Sequence, residues 1–237
     1  MVLKSNTDPS LSRKNGQPVF IFEFDHLVVR MREATYEILQ RLFDDQDVQP
    51  VHISRFGLSA SPTQIIDKMQ TFFGIRKAPA KKLADELIQG LHRHLDVGNI
   101  QVSDALRDVI VQAREREMPV FGLTSLPAGP RDIIADRLDL PGLGIEYIPF
   151  ATNFEAYPKA DAWLKLIKEY NVLGPTSIAL TTSMAATKAA MTAGFHCVAA
   201  PDRFTAFQDF GGAQFVADSL TDIVLADVIP HGVEYAV

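Results

Sequence analysis

The stretch VFIFEFDHLV, Val19 to Val28, sets two carboxylates, Glu23 and Asp25, one residue apart inside an otherwise apolar run. An ionised carboxylate is expensive to bury unless it is paired or hydrogen-bonded, so the pair needs an explanation. Val19–Phe24 is too short for a helix and follows a polar segment carrying Pro9, Gly16 and Pro18, which reads as a buried strand of a parallel sheet. Four more runs have the same character: Pro119–Leu123, Ile145–Ile148, Ser177–Leu180 and Cys197–Ala200.

Helical patterns separate the later runs. Ser103–Glu117 places apolar residues at 106, 109, 110 and 113 behind Ser103 as N-cap. Arg131–Leu138, Ala160–Tyr170 and Met184–Ala193 follow, the last between Ser183 and Gly194. Strand alternating with helix predicts an α/β fold, a Rossmann-like three-layer parallel sheet with right-handed crossovers. The first interval breaks the rhythm, because about ninety residues separate Phe24 from Pro119, far more than one crossover needs. Within it Arg32–Phe43, Pro62–Phe73 and Pro79–Leu95 read as amphipathic helices. The expected organisation is a loose arm at 1–17, an α/β core at 18–29 and 99–237, and an α-helical cap inserted at 30–98.

Composition narrows the function. Of 237 residues 47% are hydrophobic, enough for a substantial core, and the net charge of -6 with no basic cluster argues against nucleic acid or an anionic membrane surface. The single cysteine, Cys197, excludes an internal disulfide framework and fits a reducing compartment. No apolar stretch is long and unbroken enough to span a bilayer, so a cytoplasmic protein is expected.

In open parallel sheets, ligands bind beyond the carboxyl ends of the strands. Those ends carry Glu23 and Asp25, then Thr124 and Ser125, then Thr181, Thr182 and Ser183, and the loop after the third run holds Lys159. Hydroxyls and an ammonium converging on two carboxylates is the equipment of phosphoryl chemistry, in which the former hold phosphate oxygens and the latter bind Mg²⁺, attack or move protons.

The order of these residues resembles the haloacid dehalogenase (HAD)-type phosphatases with a helical cap, in the phosphoglycolate phosphatase and β-phosphoglucomutase branch. That branch opens with a strand ending Asp-x-Asp-Gly-Thr, matched by Glu23-Phe24-Asp25-His26-Leu27. Its second motif matches Thr124 in VFGLTSLP, its third Lys159 in YPKADAW, and its fourth, Glu-Asp-Ser before a small-residue helix, matches Thr181-Thr182-Ser183 and MAATKAAMTAG. The resemblance implies a HAD-like core, catalytic positions at Glu23 and Asp25, phosphate contacts from Thr124, Ser125 and Lys159, and Mg²⁺ at Glu23 and the backbone of Asp25.

The pattern also departs from the family. Glutamate stands at the nucleophile position, and threonines replace the fourth-motif acids. A displacement of about 1 Å costs on the order of a hundredfold in rate, and Mg²⁺ needs charged, hard oxygen ligands in near-octahedral array. The expectation is a catalytically degenerate phosphatase that retains an anion or phosphate pocket for a phosphorylated small molecule, with Glu23 ion-paired to Lys159. The alternative is an active phosphatase or phosphomutase on a small phosphorylated metabolite, for which alone Mg²⁺ is implied. Metal-free dehalogenation ranks last, since it keeps the first carboxylate as aspartate. His26 reads as a space-filler, His92 and His94 as pointing apart on one helix, Cys197 and Trp163 as core, and residues 208–215 as a turn.

Overall fold

The computed structural model describes residues 16–57, 61–76, 78–97, 100–151, 154 and 157–229. Strand β1 (Phe20–Glu23) ends at the first carboxylate, and Phe24–Leu27 forms a single helical turn, α1, that carries the second. The strand is therefore shorter than the apolar run, and Asp25 belongs to the turn. Then come α2 (Met31–Leu42), α3 (Pro50–His52) running into a π-helical turn at Ile53–Gly57, α4 (Pro62–Phe73), α5 (Ala80–Val97) and α6 (Asp104–Glu115). The remainder is β2 (Val120–Thr124), α7 (Ala128–Leu138), β3 (Ile145–Pro149), α8 (Ala160–Tyr170), β4 (Ile178–Thr181), α9 (Met184–Thr192), β5 (His196–Ala199), β6 (Phe215–Val216) and α10 (Leu225–Val228).

Among the described residues the sheet has the order β3-β2-β1-β4-β5-β6, and every pair in it is parallel. β1 is central: Phe20 lies opposite Val120 on one side and Ile178 on the other. The chain turns one way from β1 to β2 and returns on the other flank at β4, so the strand order reverses beside Glu23, at the position where such sheets bind ligands.

The two-residue period of the strands sorts side chains into two cores. Phe20, Phe22, Val120, Ile178, Leu180 and Val198 face α6 and α7, contributing to a cluster with Leu106, Val109, Ile110 and Ile134. Val19, Ile21, Phe121, Leu123, Ala179 and Cys197 face α8 and α9, packing on Trp163, Leu166, Ala189 and Ala190. Helix, sheet and helix make three layers, as the alternation predicts. β6 extends the sheet and begins at the last residue of 208–215, the segment expected to be a turn; two residues are too few to leave a periodic signature.

The helices between β1 and β2 share the first cluster instead of forming a separate one: Ile38, Leu39, Ile66, Met69, Leu87 and Leu91 belong to it together with the sheet's phenylalanines. Gly90 permits close approach of α5 to α2, since a Cβ there would lie 2.8 Å from Ile38 Cδ1. At the base, His94 Nε2 donates to the Val29 carbonyl at 2.7 Å, while His92 packs edge-on against Phe154, so the two histidines do diverge. Of the arm at 1–17, residues 1–15 lie outside the described part. Gln17 is fixed to the core, bridging to Val172 and donating to the Glu117 carbonyl at 2.7 Å.

One side chain secures the start of β1. Ser177, fully buried, accepts from the Val19 N–H at 3.0 Å and donates to the Leu173 carbonyl at 2.6 Å. Ser177→Ala strands that buried N–H, which costs about 1–3 kcal/mol; urea unfolding should show the midpoint falling with an unchanged m-value.

Candidate active site

Glu23, Asp25, Thr124, Ser125, Thr181, Thr182 and Ser183 come together at the carboxyl ends of β1, β2 and β4, and all are buried. Each carboxylate is engaged by protein donors. Asp25 Oδ1 accepts from Thr124 Oγ1 at 2.6 Å, and Oδ2 accepts from both the backbone N–H and the hydroxyl of Ser125 at 2.7 Å. Thr124 Oγ1 in turn accepts from the Leu126 N–H at 3.1 Å. The hydroxyls expected to hold phosphate thus face the neighbouring aspartate.

Glu23, one methylene longer than aspartate, reaches across to the end of β4. Its Oε2 accepts from the Thr182 N–H at 2.5 Å and from Thr182 Oγ1 at 2.8 Å, while Oε1 is buried without a hydrogen-bond partner among the described residues. Thr182 Oγ1 also accepts from Arg32 Nη2 at 2.8 Å, and Arg32 Nη1 pairs with Asp202 Oδ2 at 2.7 Å. A hydroxyl has one donor and spare lone pairs, so Thr182 relays between guanidinium and carboxylate. The relay is held from behind by Thr205, whose hydroxyl donates to the Thr182 carbonyl at 2.7 Å.

The cation beside Glu23 is therefore Arg32, and the expected Glu23–Lys159 ion pair is not formed. Lys159 is exposed at the N-cap of α8 and makes no ion pair or hydrogen bond with the described residues of the cluster. Arg32, only 5% exposed, is the residue that the sequence reading missed. A signal existed: Arg32 lies seven residues, two helical turns, before buried Leu39, which puts a charge on the apolar stripe of α2.

Burial is the dominant influence on both acids. It raises the Glu23 pKa against the opposing effects of Arg32 and the Thr182 hydrogen bonds, with Asp25 adding to the rise. It raises that of Asp25 against the Thr124 and Ser125 hydrogen bonds. Burial, helped by the charge of Glu23, also lifts the Cys197 thiol to about 12, which makes it an inert packed group as expected.

The donors do not suit a divalent metal. Both oxygens of Asp25 and one of Glu23 are committed to protein hydrogens, Thr182 is neutral, and a guanidinium already stands at the junction. Among the described residues no group of three His, Cys, Asp or Glu side chains gathers as a metal site. No described helix is long and apolar enough to cross a membrane.

No family model matches the chain, and no curated protein matches it in sequence. Solved structures do. CbbY from Rhodobacter sphaeroides in complex with phosphate aligns over 90% of this chain and 99% of its own, at 17% identity and a TM-score of 0.66. A mutant of that protein has been solved with xylulose-(1,5)bisphosphate. A HAD hydrolase of family IA, variant 3, from Entamoeba histolytica gives 15% identity, 90% and 97% coverage and a TM-score of 0.67. The β-phosphoglucomutase of Clostridium difficile gives 14%, 90% and 95%, and 0.64. The chain has the HAD-like hydrolase fold, and its structural neighbours include a HAD hydrolase and a β-phosphoglucomutase.

The raised Glu23 pKa has a consequence for stability. A folded-state pKa above the unfolded value of 4.5 means that the native state holds the proton more tightly. Glu23 therefore contributes stability below pH 4.5 that is lost as pH rises through the folded pKa. Glu23→Gln cannot titrate, so urea unfolding from pH 4 to pH 8 should show wild type losing stability relative to the variant. A constant difference across that range would refute the assignment.

Proposed function

We propose that this protein is a catalytically retired member of the HAD-like fold, acting as a binding protein for a phosphorylated small molecule. The observation that carries the reading is the Glu23–Thr182–Arg32 relay. Where a phosphatase of this fold needs a divalent cation among anionic oxygens, this chain has a fixed guanidinium on a neutral hydroxyl.

Three consequences oppose phosphoryl transfer. Glu23 lies at 2% exposure with Oε2 held by Thr182, so its free rotation toward a phosphorus atom would break two hydrogen bonds. Asp25 is held by three hydrogen bonds from Thr124 and Ser125, and a general acid must be free to reach the leaving oxygen. A dianionic phosphate entering between the two would also meet like charge at low dielectric. Affinity for phosphate-bearing molecules is supported by the structural neighbours solved with phosphate and with xylulose-(1,5)bisphosphate.

The test is hydrolysis of p-nitrophenyl phosphate with Mg²⁺. Wild type should show no turnover above the buffer rate, and Glu23→Ala should match it. Ordinary phosphatase turnover lost in Glu23→Ala would overturn the reading in favour of an active phosphatase or phosphomutase that uses Glu23.

A further inference from the structure

The far end of α2 carries a cluster of rings that the carboxylate site does not use. Phe43, the C-cap of α2, packs on Phe73 with 6.2 Å between ring centroids. His52 lies 4.9 Å from Phe72, 5.3 Å from Phe73 and 6.2 Å from Phe56. Phe72 also meets Phe56 at 5.4 Å and Phe73 at 5.1 Å. Arg32 stands in the first turn of α2 and Phe43 at its end, about 16 Å apart at 1.5 Å per residue. The cluster is therefore remote from the Glu23 relay.

It is not fully covered. Phe72 is 47% exposed, and so is Val51, which immediately precedes His52. Arg55, exposed, lays its guanidinium over the rings of Phe56 and Phe72 at 5.7 and 5.8 Å from their centroids. It is supplied by the π-helical turn at Ile53–Gly57, a geometry frequent at functional sites. An anion adjoins the same rings: the Gln49 N–H donates to His52 Nδ1 at 2.9 Å, and the Gln49 side-chain amide donates to exposed Asp47. Asp47 and Arg55 both act electrostatically on the His52 ring. An apolar centre is thus flanked by one cation and one anion. Aromatic residues and arginine are the side chains enriched at interface cores and hot spots. A Phe72 ring already held by three neighbouring rings and a guanidinium loses little freedom on association.

We infer that this face, formed by Val51, Phe72, Arg55 and Asp47, docks a second copy of the chain in a two-fold symmetric dimer. The charge pattern selects that occupant. An isologous interface needs a patch complementary to itself. Two-fold rotation sets Arg55 of each copy against Asp47 of the other, while the Phe72 rings cover one another at the centre. A partner carrying a single sign of charge would leave one of the two unmatched. Because the face is remote from the relay, the dimer and the binding function stand or fall separately.

The test is sedimentation equilibrium of the whole chain, 26.2 kDa, at concentrations up to tens of micromolar. Wild type should sediment at twice that mass, and Phe72→Glu should raise the dissociation constant by about thirtyfold or more. Arg55→Glu and Asp47→Lys should each weaken the dimer by about tenfold or more, since each sets like charges across the axis. Mixing these two single variants should restore the dimer, because the mixed pair opposes unlike charges at both contacts. A charge pair confined to one chain would give no such rescue. The three substituted side chains are exposed, and thermal unfolding checks that every variant is folded. A wild type that stays monomeric throughout the range would overturn the inference and leave the face to a different partner. A dimer indifferent to Phe72→Glu would place the contact elsewhere and overturn it too, as would charge variants that remain monomeric when mixed.

Discussion

A buried carboxylate at the end of the central strand has to be neutralised, and the rest of the site follows from how this chain does it. Glu23 sits where burial alone would drive it to protonate. The chain answers with a relay: Glu23 to the backbone and hydroxyl of Thr182, Thr182 to Arg32, Arg32 to Asp202. The relay joins β1, β4, α2 and the loop after β5. A change at any member is therefore felt both in the sheet and in the helices inserted after β1.

This coupling gives the helical insertion a role different from that of a freely moving lid. Its first helix supplies the cation, and its apolar face is continuous with the core under the sheet. His94 fastens its last helix to the segment after α1, and Arg203 clasps Glu33 from the opposite side. Opening the insertion would expose Arg32's partners and part of a shared hydrophobic cluster.

The fold was largely legible in the sequence, because a central parallel sheet writes itself as short, mainly apolar runs, and those of β1 to β5 were present. β6 was not, as two residues against a glycine-rich loop carry no period. The site was legible by position: Glu23, Asp25, Thr124, Ser125 and Thr182 do converge. Its wiring was not. The cation assigned to Glu23 came from motif order, which names Lys159, whereas burial selects the side chain that the tertiary structure can bring in dry, and that is Arg32. The same limit applies to Thr124 and Ser125, whose order along the chain is compatible with holding phosphate but whose hydroxyls turn to Asp25 once the α1 turn brings it within 2.7 Å.

Arg32 and Glu23 meet through the Thr182 hydroxyl, with no direct hydrogen bond between them, and the relay makes them one energetic unit. A double-mutant cycle on folding stability at neutral pH, with Glu23→Gln, Arg32→Met and the double variant, measures this. The expected coupling energy is about 1–3 kcal/mol, with the double variant much closer to wild type than the sum of the singles. Additivity to within about 0.3–0.5 kcal/mol would contradict it, and would make Arg32 a partner of Asp202 alone.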